Sequence, residues 1–203
     1  MGQSMMGDSI PGQPAGDGTS WLTGQLLIAM PGMADPRFAH TVIYLCAHSE
    51  DGAMGLVVNK LSDSIVFKEL LEQVGVEDCA IERDIPVHVG GPVETARGFV
   101  LHGDDYDHDG TMAVNNGIGL TASVDILRDV AIGNGPKHCL LALGYSGWGA
   151  GQLEQEIQQN GWLTAKADEA LVFGAGLDED RWRTAIETLG IDPSMLSSTA
   201  GRA

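Results

Sequence analysis

The pattern closest to a catalytic motif lies in Gly144-Tyr-Ser-Gly-Trp148. This stretch nearly matches the nucleophile elbow Gly-x-Ser-x-Gly, in which a strand-to-helix turn exposes a serine hydroxyl. Trp148 stands where the last glycine belongs, and no histidine follows Ser146, because the last one in the chain is His138. A serine hydrolase of this type needs Asp and then His after the nucleophile. The pattern therefore argues against serine hydrolysis.

The same glycines suggest a second kind of chemistry, the binding of an anion or nucleotide. They precede a predicted helix, and the free N–H groups of a helix N-terminus attract phosphate. Neither the Gly-Lys-Ser/Thr of a Walker loop nor the Gly-x-Gly-x-x-Gly spacing is present. The structural alternative is that the glycines let Trp148 pack over a tight turn. The sequence leaves both interpretations open.

An acidic stretch, Asp105-x-Asp107-x-Asp109-Gly110, matches the opening of a calcium loop. Asn116 occupies the twelfth position, where a bidentate glutamate is required, and the flanking segments have strand patterns instead of helical ones. The chain also lacks His-x-x-x-His and paired cysteines, the usual spacings of metal ligands. We therefore predict a hydrated acidic loop, with neither a metal nor a cofactor.

His102 lies at the end of a predicted strand beside this loop, where an imidazole can act as acid or base. Lone histidines are more often structural, and His40, His48 and His88 have equal claims. Other polar, glycine and aromatic residues also fall at predicted strand ends or turns. They are Asn59, Gly90, Gly91, Arg97, Tyr145, Trp148, Gln152 and Glu156. Such residues line clefts but also serve as caps and sheet corners. We predict that some of them, with His102, bind a ligand, and we name no catalytic residue.

The elements that must position these residues can be read from apolar patterns. Residues 139–143 predict a strand buried on both faces, residues 144–151 a glycine-rich turn, and Leu153 with Ile157 one face of a helix that stops at Gly161. Further strands are predicted at 24–30, 41–46, 54–59, 86–92, 98–102, 111–114, 118–120, 162–166 and 170–173. Further helices are predicted at 66–74, 121–133 and 178–189.

Composition predicts one domain and restricts its partners. The 203 residues suit a single α+β domain over 21–203 with about four helices, after a disordered Gly-, Ser- and Pro-rich tail at 1–20. The net charge of −17 disfavours direct binding of nucleic acid or of an anionic membrane. Three cysteines far apart, no basic leader and no long apolar run predict a cytoplasmic protein.

Several motifs together resemble the YqgE/AlgH family of bacterial proteins. They are Gly-Gln-Leu-Leu-Ile-Ala-Met-Pro at 24–31, Asp35-Pro-x-Phe38, His48 followed by Gly-Ala-Met-Gly-Leu-Val-Val-Asn at 52–59, Gly-Gly-Pro-Val at 90–93, Arg-Gly-Phe-Val-Leu-His at 97–102, Leu-Gly-Tyr-Ser-Gly-Trp at 143–148, and Gly-Gln-Leu-Glu at 151–154. The resemblance covers roughly residues 20 to 203. This chain has Lys60-Leu61 where the family often has Arg-Pro, and the family accepts Ala in place of Ser146, which weakens a nucleophilic role for that serine.

The resemblance implies an α+β fold with a mixed, strongly bent and coiled sheet. It implies no established reaction, and the family is commonly labelled a transcriptional regulator. Our leading hypothesis is an accessory or regulatory protein that binds an unknown small molecule or protein partner. Direct transcriptional regulation is the alternative that the family label favours and the charge opposes, and no helix-turn-helix is apparent. An enzyme of unknown reaction is the third hypothesis.

Overall fold

The computed structural model describes residues 21–76, 80–115, 117–174 and 178–196. The predicted tail at 1–20 lies outside the described residues, as do Cys79 and the chain end from 197. The strands in the described part are β1 Gln25–Ala29, β2 Val42–Ser49, β3 Gly52–Val57, β4 Val87–Val89, β5 Val93–Gly103, β6 Met112–Asn115, β7 Ile118–Thr121, β8 Cys139–Gly149 and β9 Trp162–Lys166. The helices are α1 Phe67–Gln73, α2 Val124–Ala131, α3 Gln152–Gln158, α4 Glu169–Phe173 and α5 Asp178–Glu187, with a 3-10 turn at Pro193–Met195.

These elements form a single α+β domain on a mixed, strongly curled sheet, which confirms the predicted fold class. The strand order is β6-β7-β5-β8-β3-β2-β1-β9, and β4 pairs with β8 beside this path. The β4–β8 pair is parallel, while the pairs along the path are antiparallel. The curl of the sheet brings the end of β6 close to the beginning of β1 and to β2. The Asn115 carbonyl accepts a hydrogen bond from the Tyr44 hydroxyl, and the Asn115 side-chain amide donates one to the Thr23 carbonyl.

Strand β8 joins the two parts of the sheet. Its first half pairs with β5, and its second half, from Ser146, pairs with β3. Gly144 lies at the shift in register between the Leu143–Gly98 and Tyr145–Val93 pairs, shortly before Ser146, and has φ +70°, in the left-handed region. The predicted turn over 144–151 is therefore wrong: the strand continues through Gly149 and only Ala150 and Gly151 turn. The glycines give the strand its bend and its close main-chain approaches without ending it.

Both faces of the sheet are buried along β1 and the first half of β2. In β1, Leu26 and Ile28 belong to one apolar cluster with α4 and α5, while Leu27 and Ala29 belong to another with α3. This alternation follows from the two-residue period of a strand. A third cluster packs α1 and α2 against β4, β5 and β8. Because helices cover both faces, the strands read as continuous apolar runs.

One predicted strand is a helix. The apolar pattern predicts an extended segment at 170–173, but these residues lie in α4. Asp168 is the N-cap of α4, and its side chain accepts a hydrogen bond from the Leu171 N–H at 2.8 Å. A short apolar run does not distinguish a strand from a buried helical turn, whereas the cap satisfies N–H groups that only a helix leaves unpaired. This helix raises the number described to five.

His88 in β4 is buried, and we expect it to make stability depend on pH. Burial, and then the charge of Arg181, lower the pKa of His88 to about 4, although the carbonyls of Leu141 and Pro86 oppose this shift. The unfolded chain binds this proton near pH 6.5, so stability is present above that pH and is lost as the pH falls towards 4. We expect this residue to account for a loss of about 1–2 kcal/mol between pH 6.5 and 4.5.

Urea unfolding at a series of pH values tests this expectation. His88→Asn, which keeps a donor near Leu141, should flatten the pH dependence in that window. His138→Asn removes an exposed histidine and should keep the wild-type slope. Equal slopes for the wild type and His88→Asn would contradict the assignment.

Candidate functional site

Helix α3 returns directly from the end of β8. Gly151 precedes it with φ +71°, and Gln152 caps the turn by accepting the Gly149 N–H at 3.0 Å. At its other end Asn160 takes the left-handed position with φ +57°, and the Gly161 N–H donates to the Glu156 carbonyl at 2.8 Å. The left-handed residue is therefore Asn160, and Gly161, where the helix is predicted to stop, follows it directly. This tight ending returns Trp162 towards α3.

A carboxylate held by two tryptophans is the most organised polar feature of this region. Oε2 of Glu156 accepts the indole N–H of Trp148 at 2.9 Å and that of Trp162 at 2.8 Å. Oε1 accepts an N–H of Gln152 at 2.9 Å. The two indoles meet edge to face, with 6.0 Å between ring centres. We call these four residues the indole–carboxylate cluster. Three donors from three elements fix the position of its charge.

The cluster lies at the wall of a cavity of about 870 Å³, within the roughly 300–1,000 Å³ range of ligand sites. We call it the aromatic groove. Its lining includes Met33, Asp35, Arg37, Phe38 and Pro92 in addition to the whole cluster. Phe38 packs edge to face on Trp162, with 5.8 Å between ring centres. The groove therefore combines an apolar, aromatic lining with a few fixed polar groups, as ligand sites commonly do.

A second cavity, of about 710 Å³, adjoins the first along Gly147 and Trp148. We call it the apolar groove, and Met54, Val93, Phe99 and Tyr145 are among its lining residues. Arg97 lies at this groove with its guanidinium 5.0 Å from the centre of the Phe99 ring and 3.2 Å from the Glu94 carboxylate. Five of the predicted site residues thus line two adjoining cavities: Arg97, Tyr145, Trp148, Gln152 and Glu156.

His102 lies elsewhere, beside a separate cavity of about 330 Å³. It is fully buried, and its Nδ1 lies 2.8 Å from the Gly103 carbonyl, which can only accept. Nδ1 therefore carries the proton when the ring is neutral, and Nε2 accepts from the Thr121 hydroxyl at 2.8 Å. Thr121 is in turn 2.7 Å from the Thr111 hydroxyl. This arrangement supports a structural histidine.

The remaining predicted residues hold the sheet together. Asn59 is buried, accepts the Val42 N–H at 2.7 Å and donates to the His40 carbonyl at 2.9 Å. A Cβ on Gly90 would lie 2.3 Å from the Gly144 oxygen, and one on Gly91 would lie 2.2 Å from a main-chain atom of Tyr145. These glycines permit close packing of the chain beside β8. None of the three residues lines the cavities described above.

Ser146, at the centre of the elbow-like pattern, is fully buried and donates to the Gly90 carbonyl at 3.3 Å. Burial within β8 removes it from solvent, so its environment does not support a nucleophile. In the acidic loop, Asp105 accepts the Lys137 N–H and the Tyr106 hydroxyl donates to Asp129. Within the described ranges, no three His, Cys, Asp or Glu side chains are grouped so that they could hold a metal ion.

Trp162 and Phe38 are the site residues that sequence reasoning missed. The sequence pattern places Trp162 only in a strand, and Phe38 enters only as part of the Asp35-Pro-x-Phe38 motif. The one available signal is the position of Trp162, directly after the helix stop and six residues beyond Glu156. Its contact with Trp148 depends on the return of α3 and on the pairing of β9 with β1, which no local pattern reveals.

Comparisons with a family model and with individual relatives agree with the resemblance to the YqgE/AlgH family. The AlgH-like family model (DUF179) matches residues 26–194. A UPF0301 protein of Rhodospirillum rubrum is 51% identical over 183 residues, which cover 90% of this chain and 95% of the relative. A UPF0301 protein of Cereibacter sphaeroides is 55% identical over 183 residues, covering 90% of this chain and 99% of the relative.

Solved structures agree with the observed fold. The solution structure of the AlgH protein from Pseudomonas aeruginosa superposes with a TM-score of 0.74 at 42% identity, covering 98% of this chain and 100% of that one. A crystal structure of a Corynebacterium diphtheriae protein has a TM-score of 0.67 at 22% identity, covering 84% and 88%, and shows the fold alone. Among the helices described for this chain, none has both the length and the apolar character to cross a membrane.

Proposed function

The chain belongs to the YqgE/AlgH family, and from this premise we propose that it is a cytoplasmic accessory or regulatory protein that works by binding a small molecule or a protein partner. The proposed binding site is the aromatic groove with the adjoining apolar groove. Its working residues are Trp148, Trp162, Gln152 and Glu156, with Arg97 and Tyr145 in the neighbouring cavity.

The observation that carries this proposal is the fixed carboxylate in the aromatic groove. A binding site gains affinity when its polar groups are already held in place, because less freedom is lost when the ligand arrives. Glu156 is held by three hydrogen bonds, and its tryptophan partners are buried and packed. Building such a cluster at the wall of an 870 Å³ cavity supports recognition of a ligand.

The charge supports regulation through a ligand or partner instead of through direct contact with DNA. Binding of the phosphate backbone requires a basic surface that releases counterions. The net charge is −17, and the arginines at the two grooves, Arg37 and Arg97, are paired with Asp35 and Glu94. Any regulatory effect on transcription would then be exerted through another molecule.

Native mass spectrometry of the protein purified from its own host tests the proposal, with denaturation to release whatever is bound. Gly147 lines both grooves, and its Cβ would lie 3.3 Å from the ring of Tyr145, so Gly147→Val should obstruct the site. Gly98→Val is the matched control, because Gly98 is also a strand glycine but is not among the residues that line either groove. We expect the wild type and Gly98→Val to retain a bound species that Gly147→Val loses.

A protein that is bare in every preparation would contradict the binding function. A bound species that survives Gly147→Val would contradict the groove as its site. Turnover of a substrate that disappears with Glu156→Gln would favour the enzyme hypothesis instead.

A further inference from the structure

The aromatic groove carries one uncompensated negative charge among the residues that line it. Its ionisable lining residues are Asp35, Arg37 and Glu156. Arg37 donates to Asp35 through Nε, at 3.0 and 3.1 Å from the two carboxylate oxygens, and through Nη2 at 2.7 Å. Glu156 has no such partner: within the described residues its contacts are the neutral donors Trp148, Trp162 and Gln152. The groove therefore favours a cation.

The carboxylate also has room for one more donor. An ionised carboxylate oxygen has two lone-pair positions. The two indole N–H groups fill those of Oε2, while Gln152 fills one of the two on Oε1. Among the described residues no second donor to Oε1 is found, and Glu156 lines the groove from which a ligand donor would approach. An N–H of an ammonium or guanidinium group has the charge and the donor that this position requires.

The lining beside this position suits a cation carried on an apolar body. Phe38, Trp162 and Trp148 form a continuous edge-to-face series with ring centres 5.8 and 6.0 Å apart. The groove already shows a cation over an aromatic ring, because the Arg37 guanidinium lies 5.9 Å from the centre of Phe38. Aromatic rings attract cations and line the sites of many organic ammonium ligands.

We propose that the aromatic groove binds a small organic cation, a primary amine or guanidine on an aliphatic or aromatic body, with its N–H donating to Oε1 of Glu156. This inference rests on the proposed binding function and adds the chemical class of the ligand. The cavity of about 870 Å³ is the size of a small-molecule site, and the net charge of −17 attracts cations.

The indole N–H resonances of 15N-labelled full-length protein report on the groove directly. The chain has four tryptophans, so the signals can be assigned by single Trp→Phe variants. Trp182 donates to the Ala29 carbonyl at 2.8 Å and provides an internal control for folding. The probes are phenethylamine, its neutral analogue phenethyl alcohol and its anionic analogue 3-phenylpropionate, each titrated to about 10 mM, where weak ligands with Kd near 1 mM saturate.

We expect phenethylamine to shift the Trp148 and Trp162 signals and to bind about tenfold more tightly than the alcohol. Phenylpropionate should leave both signals unmoved. Glu156→Gln keeps the shape of the side chain and should weaken amine binding about tenfold, while Glu72→Gln, an exposed change on α1, should not alter it. Butylguanidine, a guanidine on an aliphatic chain, should reproduce the amine response.

Three results would overturn the cation assignment: equal binding of the amine and the alcohol, amine binding that Glu156→Gln leaves unchanged, or no response to any cation at about 10 mM. Each leaves the broader binding function standing if the protein from its host carries a species that Gly147→Val loses. Tighter binding of a lysine-containing peptide than of the free amines would replace the small molecule by a partner's side chain.

Discussion

Gly144→Ala is expected to lower the free energy of unfolding by about 3–4 kcal/mol, the largest effect among the substitutions proposed for this protein. Gly144 has φ +70°, a conformation that costs an L side chain about 1–2 kcal/mol. Its Cβ would also lie 2.5 Å from the Gly91 oxygen and 2.9 Å from the Val93 oxygen. Both are main-chain atoms, which cannot move aside as a side chain can.

Gly75→Ala separates the two causes. Gly75 has φ +77°, but apart from its neighbours along the chain no atom lies within 4 Å of the position that its Cβ would take, so only the backbone strain of about 1–2 kcal/mol remains. Urea unfolding of both variants gives the comparison, with equal slopes required for a difference in midpoint to report stability. Equal losses for the two variants would show that the bend in β8 tolerates a side chain. The bend matters to the site because Tyr145 and Trp148, which line the grooves, follow it directly in β8.

Glu156→Leu is expected to be the second most damaging change, at about 2–3 kcal/mol. Leucine fills the space but leaves the indole N–H groups of Trp148 and Trp162 without an acceptor, and these two side chains are 7% and 3% exposed. An unsatisfied buried donor costs about 1–3 kcal/mol, and the partial exposure of Glu156 lets water recover part of this loss. Chemical unfolding followed by tryptophan fluorescence measures the effect.

A double-mutant cycle assigns the loss to the indole N–H groups. Trp162→Phe removes one donor and should destabilise the wild type, yet it should cost clearly less in the Glu156→Leu background, where that donor has no acceptor. Glu72→Leu, at an exposed position of α1, controls for the change from charge to an apolar side chain. Additive losses in the cycle would show that the cluster is not the source of the stability.

The sequence alone determined the features that depend on local patterns. The four-residue spacing of Leu153 and Ile157 in α3, the apolar run at 139–143 and the motifs shared with the YqgE/AlgH family are properties of short stretches. Each can therefore be read without the structure, as can the α+β class. The wrong assignments are also local ones: an apolar run at 170–173 suits either a strand or a helix, and the Asp168 cap decides in favour of the helix.

Only the tertiary structure decided how the candidate residues are grouped. Tyr145 and Trp148 reach the grooves because β8 bends at Gly144 and continues, pairing with β5 and then with β3. Glu156 meets Trp162 because α3 ends tightly and β9 pairs with β1. Asn59, Gly90 and Gly91 are separated from the cavities by the same packing. These contacts arise from strand pairings between distant segments, whose register is set by the packing of the whole sheet, so short-range residue patterns do not contain them.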